Sequence, residues 1–352
     1  MKISKLLLIA FSISLFVSCS NDDDNNVVVK GEYDKGFFIL NEGSAGQGTV
    51  SFSSNDFSFF AKDAYTAANG GDLLGKYAQN IFFDGDKAYI IAGGSKVINV
   101  VNRYTFKLIA KIETGLLNPR YGVAKDGKAY VTNANTYADW GAPATATGNT
   151  DDYVAVIDLT TNKFESKIDL NATANRIVLE NGKLYITEPY NNSKLLVVNL
   201  TTKALETSID IGSNADTMEA KDGILYVLRS PYGNRSEIVK VKLSDKTISK
   251  ITFPETLDGA GYMDIYNDKI YYTASNSVYS ISSNATSVST TPILTASSVA
   301  NLYGFAVNNN RIYLSDSGDY KSDSKAYIYS LTGILEKELT VGVGPNGFYF
   351  ND

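Results

Sequence analysis

Asp126-Gly127-Lys128-Ala129-Tyr130-Val131-Thr132-Asn133 decides the architecture, because the chain repeats this phrase in altered form. Asn181-Gly182-Lys183 leads into Tyr185-Ile186-Thr187, and Asp222-Gly223 into Tyr226-Val227. Gly85-Asp86-Lys87 precedes Tyr89-Ile90, Asn267-Asp268-Lys269 precedes Tyr271-Tyr272, and Asn309-Asn310-Arg311 precedes Tyr313-Leu314. A polar turn followed by apolar residues around an aromatic suits a buried strand rather than a helix. The tyrosines at 89, 130, 185, 226, 271 and 313 lie 41, 55, 41, 45 and 42 residues apart. These intervals match the roughly 40–50-residue repeat of propeller blades, and the stretched ones mark insertions.

The second half of each unit recurs too. Val154 to Leu159, the turn Thr160-Thr161-Asn162-Lys163 and Phe164 to Ile168 read as a hairpin, and Leu195 to Ile209 copies it. A short apolar run stands before several tyrosine strands, as in Tyr121-Gly122-Val123-Ala124, Tyr262-Met263-Asp264-Ile265 and Tyr303-Gly304-Phe305-Ala306. Each unit therefore has four strands. Near the start, Lys35 to Leu40 looks like a tyrosine strand with no first strand before it, and the chain stops at Asn346-Gly347-Phe348-Tyr349-Phe350. Pairing these ends completes a seventh blade and protects the sheet edges. The expected fold is an all-β, seven-bladed β-propeller of four-stranded blades over residues 31–352, closed by its N- and C-terminal strands.

Residues 1–18 form a separate segment. Lys2 and Lys5 precede an uncharged, largely apolar stretch from Leu6 to Val17, which is too short for a ~20-residue membrane span and reads as a secretion signal. It ends at Cys19, the only cysteine of the 352 residues, in a context that resembles a bacterial lipobox and implies acylation of that cysteine. Residues 19–30 read as an acidic, flexible tether. Its Asp22, Asp23 and Asp24 resemble the export signal of Bacteroidetes-type surface lipoproteins, which implies the outer face of the outer membrane. With no second cysteine the domain is held by its core alone.

Composition narrows the chemistry. The chain has 32 basic and 38 acidic residues; removing residues 1–18 takes two lysines and no acids, leaving 30 against 38, a net charge of −8. Nucleic acid is disfavoured as a partner. There is no histidine, so Ser-His-Asp and Cys-His units and imidazole metal sites are excluded. No P-loop or dinucleotide fingerprint is present, and Asp316, Asp319 and Asp323 miss the EF-hand spacing. Neither a cofactor nor a metal is expected.

Recognition then falls to loops on a rigid repeat. The connections between second and third strands are unequal: 41–48, 92–95, 133–152, 188–193, 229–236, 274–276 and 316–324. The third carries Tyr137 and Trp140, the fourth Tyr190, the fifth Arg229, Tyr232 and Arg235, and the seventh Tyr320. Aromatic faces with guanidinium groups suit flat, polar or anionic ligands. Two readings stay open for Trp140, which either meets ligand or pins its own long loop. The links between blades place Arg120, Tyr121, Arg176, Tyr262 and Tyr303 around the channel mouth. There the tyrosines either pack between blades or face the channel, and Asp216, Glu219 or Asp264 could satisfy the arginines internally.

From about residue 31 to 352 the repeated phrase resembles the YVTN-repeat (YncE-like) seven-bladed propellers. The opening Phe37-Phe38-Ile39-Leu40-Asn41-Glu42-Gly43 resembles a subgroup of Bacteroidetes surface lipoproteins. Some of these capture cobalamin or ferric siderophores beside a TonB-dependent outer-membrane transporter. The resemblance implies a lipid-anchored protein that captures a small polar ligand, of corrinoid or siderophore class, and passes it to such a transporter. A surface propeller that binds protein or glycan is the alternative. A propeller hydrolase or lyase would need Glu42, Glu188, Glu219 and Asp316 to converge.

Overall fold

A computed structural model describes residues 30–44, 46–134, 151–189 and 193–352. Their strands form seven antiparallel sheets, and the inner strand of each packs against the next in a closed circle, so the fold is a seven-bladed propeller. From the channel outward, blade II is Ala78–Asp84, Lys87–Ala92, Val97–Asn102 and Leu108–Ile112, and blade III is Pro119–Lys125, Lys128–Asn133, Tyr153–Asp158 and Lys163–Asp169. Blade IV is Arg176–Glu180, Lys183–Thr187 and Lys194–Asn199, with the short pieces Ala204–Leu205 and Ile209–Asp210 on its outer edge. Blades V, VI and VII begin at the inner strands Ala215–Lys221, Ala260–Tyr266 and Leu302–Asn308. Blade I joins both ends of the fold: Pro345–Asn351 supplies its inner strand and Gly36–Asn41 its second. There Phe37 lies opposite Phe350 and Ile39 opposite Phe348, as the terminal sequences lead one to expect.

Each residue of the repeated phrase has a separate physical task. The turn residues Asp126 and Gly127, Asn181 and Gly182, and Asp222 and Gly223 all have positive φ, between 50° and 75°. Two successive left-handed residues make the tight hairpin turn whose twist matches that of the strands it joins. The tyrosines at 89, 185, 226, 271 and 313 are buried between blades, and Tyr130 is half-buried. The threonine bonds the next blade. Thr132 Oγ1 donates to the Asn175 carbonyl at 2.6 Å, Thr187 Oγ1 to the Asp216 carbonyl at 3.1 Å, and Ser315 Oγ to the Pro345 carbonyl at 2.5 Å. The final asparagine holds the inter-blade link, with Asn133 Oδ1 accepting from the amides of Leu117 at 2.9 Å and Asn118 at 3.1 Å. Asp316 does the same for Ala300 and Asn301.

One element has no counterpart in the repeat. The outermost strand of blade I is only Phe60–Ala61, and the short helix Ala64–Ala68 follows it. The Asp63 carboxylate caps the helix by accepting from the Thr66 amide, and buried Tyr65 donates to Asp72 at 2.6 Å. The helix thus covers apolar surface that a longer strand would otherwise protect.

Candidate functional site at the mouth of the channel

The inner strands start on the face where the second-to-third-strand loops open, so their first residues converge from all seven blades. They line a funnel of about 710 Å³ whose wall includes Gln79, Arg120, Tyr121, Arg176, Asp216, Tyr262, Tyr303 and Asn346. Adjacent loops and links add Glu42, Tyr77, Lys96, Leu117 and Asn118. The five link residues expected at the mouth, Arg120, Tyr121, Arg176, Tyr262 and Tyr303, therefore share one concave surface.

Most of the charge in the wall is matched internally. The Arg176 guanidinium reaches the Asp216 carboxylate at 2.9 and 3.3 Å and lies 4.3 Å above the centre of the Tyr121 ring. A forked ion pair backed by an aromatic face fixes the guanidinium in place. Gln79 Nε2 donates to Tyr121 Oη at 2.7 Å, and Arg120 Nε donates to Asn175 Oδ1 at 3.1 Å. Tyr303 donates its hydroxyl proton to Glu42, and the edge of Tyr320 meets the Tyr303 ring with centroids 5.2 Å apart. Burial, and then the Glu42 carboxylate, push the Tyr303 hydroxyl far above its ordinary pKa, so it stays a donor. Asn346 Nδ2 donates to the Ala78 carbonyl at 2.8 Å. Its Oδ1 and the Nδ2 of Asn118 are buried without a protein partner. Leaving such atoms unpaired costs about 1–3 kcal/mol each, so both mark positions where a water or a ligand would complete the bonding.

Farther along the same strands lies a second cavity, of about 440 Å³, lined by Phe82, Val123, Ile177, Val178, Met218 and Glu219. Its wall is apolar except for Glu180 on blade IV and Glu219 on blade V. Blade V also takes part in a buried acid pair, in which the Glu219 and Asp264 side chains hydrogen-bond each other across blades V and VI. Glu219 also accepts from the Ile265 amide, and Asp264 from the Val307 amide, each at 2.7 Å. The carboxylates thereby cap inner-strand amides that face the channel. Burial raises the pKa of both acids, and the charge of Asp264 raises Glu219 further, so the pair retains a proton at neutral pH.

The fifth-blade loop is arranged differently from the funnel. Arg229 is bound to Glu237 and to the Ser213 carbonyl, and its guanidinium packs against Gly212, so it braces its own blade. Arg235 pairs at the surface with Glu255 at 3.0 Å, and Tyr232 is fully exposed. None of the three lines the funnel. Cys19, Asp22, Asp23, Asp24, Tyr137, Trp140 and Tyr190 lie outside the described residues. The four acids weighed for catalysis have different partners: Glu42 meets Tyr303, Glu188 meets Thr173, Glu219 meets Asp264, and Asp316 holds backbone amides. Of the two arginines for which Asp216, Glu219 or Asp264 could supply an internal carboxylate, Arg176 meets Asp216. Sequence reasoning missed Tyr77, Gln79 and Lys96 as wall residues, whereas Asn346 lies at the channel mouth as its place in the link to the last strand leads one to expect. The link into blade II was passed over, although Tyr77-Ala78-Gln79 occupies the same place in the repeat as Asn118-Pro119-Arg120.

Fold and site together define a closed seven-bladed propeller with a polar, aromatic funnel at one end of its channel. The family described as "Domain of unknown function (DUF5074)" matches residues 35–263, and the chain belongs to it. No functionally curated protein matches the chain in sequence. Among solved structures it is similar to a functionally unknown protein from Desulfotomaculum acetoxidans, with TM-score 0.65 and 11% identity over 90% of this chain and 98% of that one. Hydrazine synthase of Kuenenia stuttgartiensis gives TM-score 0.60 and 14% identity over 75% and 86% of the two chains. BamB from Moraxella catarrhalis gives 0.51 and 13% over 89% and 85%. At these identities the likeness establishes the fold alone.

Proposed function

We propose that this protein is a lipid-anchored, outer-membrane surface propeller that captures a small polar ligand in its funnel and hands it to a TonB-dependent transporter. The observation that supports capture is the funnel itself, a concave site of ligand size whose wall carries tyrosines, fixed charges and two buried polar atoms without protein partners. The anchor and its outward-facing placement rest on Cys19 and the acidic tether after it. The ligand class, corrinoid or ferric siderophore, and the transporter rest on the resemblance of the first strand to surface-capture lipoproteins. Catalysis has no part in this reading, because the four candidate acids have separate partners.

Calorimetric titration of the protein with cobalamin and with ferric siderophores tests it. Saturable binding that Tyr303→Ala and Asn346→Ala both weaken by about tenfold supports capture in the funnel; each tenfold is 1.4 kcal/mol. Flat titrations, together with tight binding to a protein or glycan, would favour the alternative of an adhesive propeller. That second reading draws on Tyr232, whose complete exposure offers an aromatic anchor outside the funnel.

A further inference from the structure

The two carboxylates in the funnel wall, Asp216 and Glu42, are answered in different ways. Asp216 meets the Arg176 guanidinium, so its charge is balanced within the wall. Glu42 accepts a hydrogen bond from the Tyr303 hydroxyl, a neutral donor, and no Lys or Arg among the described residues lies within ion-pair distance of it. The bond from Tyr303 goes to Oε2. The second oxygen, Oε1, accepts from no donor among the described residues, and it is not one of their polar atoms closed to solvent. Glu42 thus offers the funnel an accessible carboxylate oxygen whose charge the wall leaves unbalanced.

The rings beside Glu42 have the matching chemistry. Tyr303 and Tyr320 stand at 90° to each other with centroids 5.2 Å apart, and Tyr320 is 40% exposed. Tyr262, in the wall on the neighbouring blade, is near enough to both for the three hydroxyls to interact electrostatically. Burial above all raises the pKa of Tyr262 and Tyr303, so these phenols stay neutral. An aromatic face attracts a cation through its quadrupole, and perpendicular rings beside a carboxylate make a corner in which a cation meets all of them. Arg176, the cation that acts on Tyr262, is already held by Asp216, and the other wall cations, Lys96 and Arg120, belong to blades II and III. The formal net charge of −6 favours the approach of a positive ligand.

We infer that Glu42, Tyr262, Tyr303 and Tyr320 form a cation subsite, which receives an organic ammonium group carried by the captured ligand. Glu42 supplies the opposite charge, and the tyrosine rings meet the apolar substituents around the nitrogen. The inference rests on the funnel being a ligand site, and it names the chemistry of the group bound there.

The test titrates the full chain with choline, with its neutral carbon isostere, in which a tert-butyl group replaces the trimethylammonium, and with ethanolamine. The wild-type protein is expected to bind choline about tenfold more tightly than the isostere. Glu42→Gln, which keeps an oxygen for the Tyr303 hydroxyl but removes the charge, should abolish most of that preference. Tyr320→Leu should weaken choline by about threefold and leave the isostere unchanged, and Tyr320→Phe should bind as the wild type does. Because Tyr320 is exposed, its variants keep the test decisive even if Glu42→Gln fails to fold. Tighter binding of choline than of ethanolamine assigns an alkylated ammonium met by the rings, and the reverse order a protonated amine met by Glu42. Equal binding of choline and its isostere overturns the cation subsite while leaving capture in the funnel standing. A preference for choline that survives both Glu42→Gln and Tyr320→Leu overturns the assignment to this corner. Absence of binding by all three probes up to about 10 mM overturns the subsite, whereas the capture reading is decided by its own titration with cobalamin and siderophores.

Discussion

The two ends of the channel are built from the same seven strands, yet they handle charge in opposite ways. At the mouth, Arg176 and Asp216 form a partly exposed ion pair of opposite charges, and the buried Asn118 Nδ2 and Asn346 Oδ1 have no protein partner. Farther in, Glu219 and Asp264 have no cation between them, and the pair avoids a double negative charge by keeping a proton. The difference follows from solvent access. Water and opposite charge make ionisation tolerable in an open funnel, whereas an apolar wall favours the neutral acid. The mouth is thus suited to exchange partners with a ligand, and the inner segment to hold blades together.

The largest effect on this contrast should come from deleting residues 346–352. That strand supplies Asn346 to the mouth and buried Phe348 to the core, so its loss damages both ends. Losing a buried aromatic alone costs about 3–5 kcal/mol, and with the ring opened the melting temperature should fall by roughly 10 °C or more. An unchanged melting temperature in calorimetry would show that closure does not stabilise the fold.

Next is Asp216→Ala, which leaves the Arg176 charge uncompensated. Fully buried pairs lose about 3–5 kcal/mol on such a change; here the side chains retain about a third of their exposure, so we expect about 1–3 kcal/mol in urea denaturation. The double variant Arg176→Met with Asp216→Leu should recover part of that loss. If the single variant is as stable as the wild type, the pair does not anchor the wall.

Glu219→Gln sharpens the comparison from the inner side. The folded-state pKa of Glu219 is raised, so the folded protein binds a proton that the unfolded chain releases at ordinary carboxylate pH. The stabilisation from this group is fully present below the unfolded pKa and is lost as pH rises through the folded one. Wild-type stability should accordingly fall relative to Glu219→Gln between about pH 5 and about pH 9. A stability difference that stays constant across that range would mean the acid pair does not keep its proton. The smallest effect is expected at the fifth-blade loop, where Arg235→Ala should change stability by less than about 0.5 kcal/mol and funnel affinity by less than about twofold. A large loss of ligand on that substitution would move the site away from the channel mouth.

Much of the fold was legible in the chain because its signals are local. The Asp126-Gly127 turn and the alternation around Tyr130 specify a hairpin without reference to distant residues. Closure was legible as well, since Gly36–Asn41 lacks an inner strand and Pro345–Asn351 lacks an outer one. The helix Ala64–Ala68 was not, because it answers a shortfall in the outermost strand of blade I that only packing reveals. At the site, Arg120, Tyr121 and Arg176 were legible from their place at the start of inner strands. Arg229 showed the limit of residue type as a guide: it resembles them in chemistry, but Glu237 lies opposite it on the adjacent strand and takes its charge.

The sequence by itself therefore determined the repeat, the blade count and the meeting of the two ends, since a period-two pattern bounded by tight turns is written residue by residue. Tertiary structure alone decided that Arg176 meets Asp216 from the next blade, that Glu219 meets Asp264, and that Tyr77, Lys96 and Arg120 line one funnel. The reason is geometric: residues some forty positions apart become neighbours only when the ring closes, and the register of each blade against the next selects which charges touch.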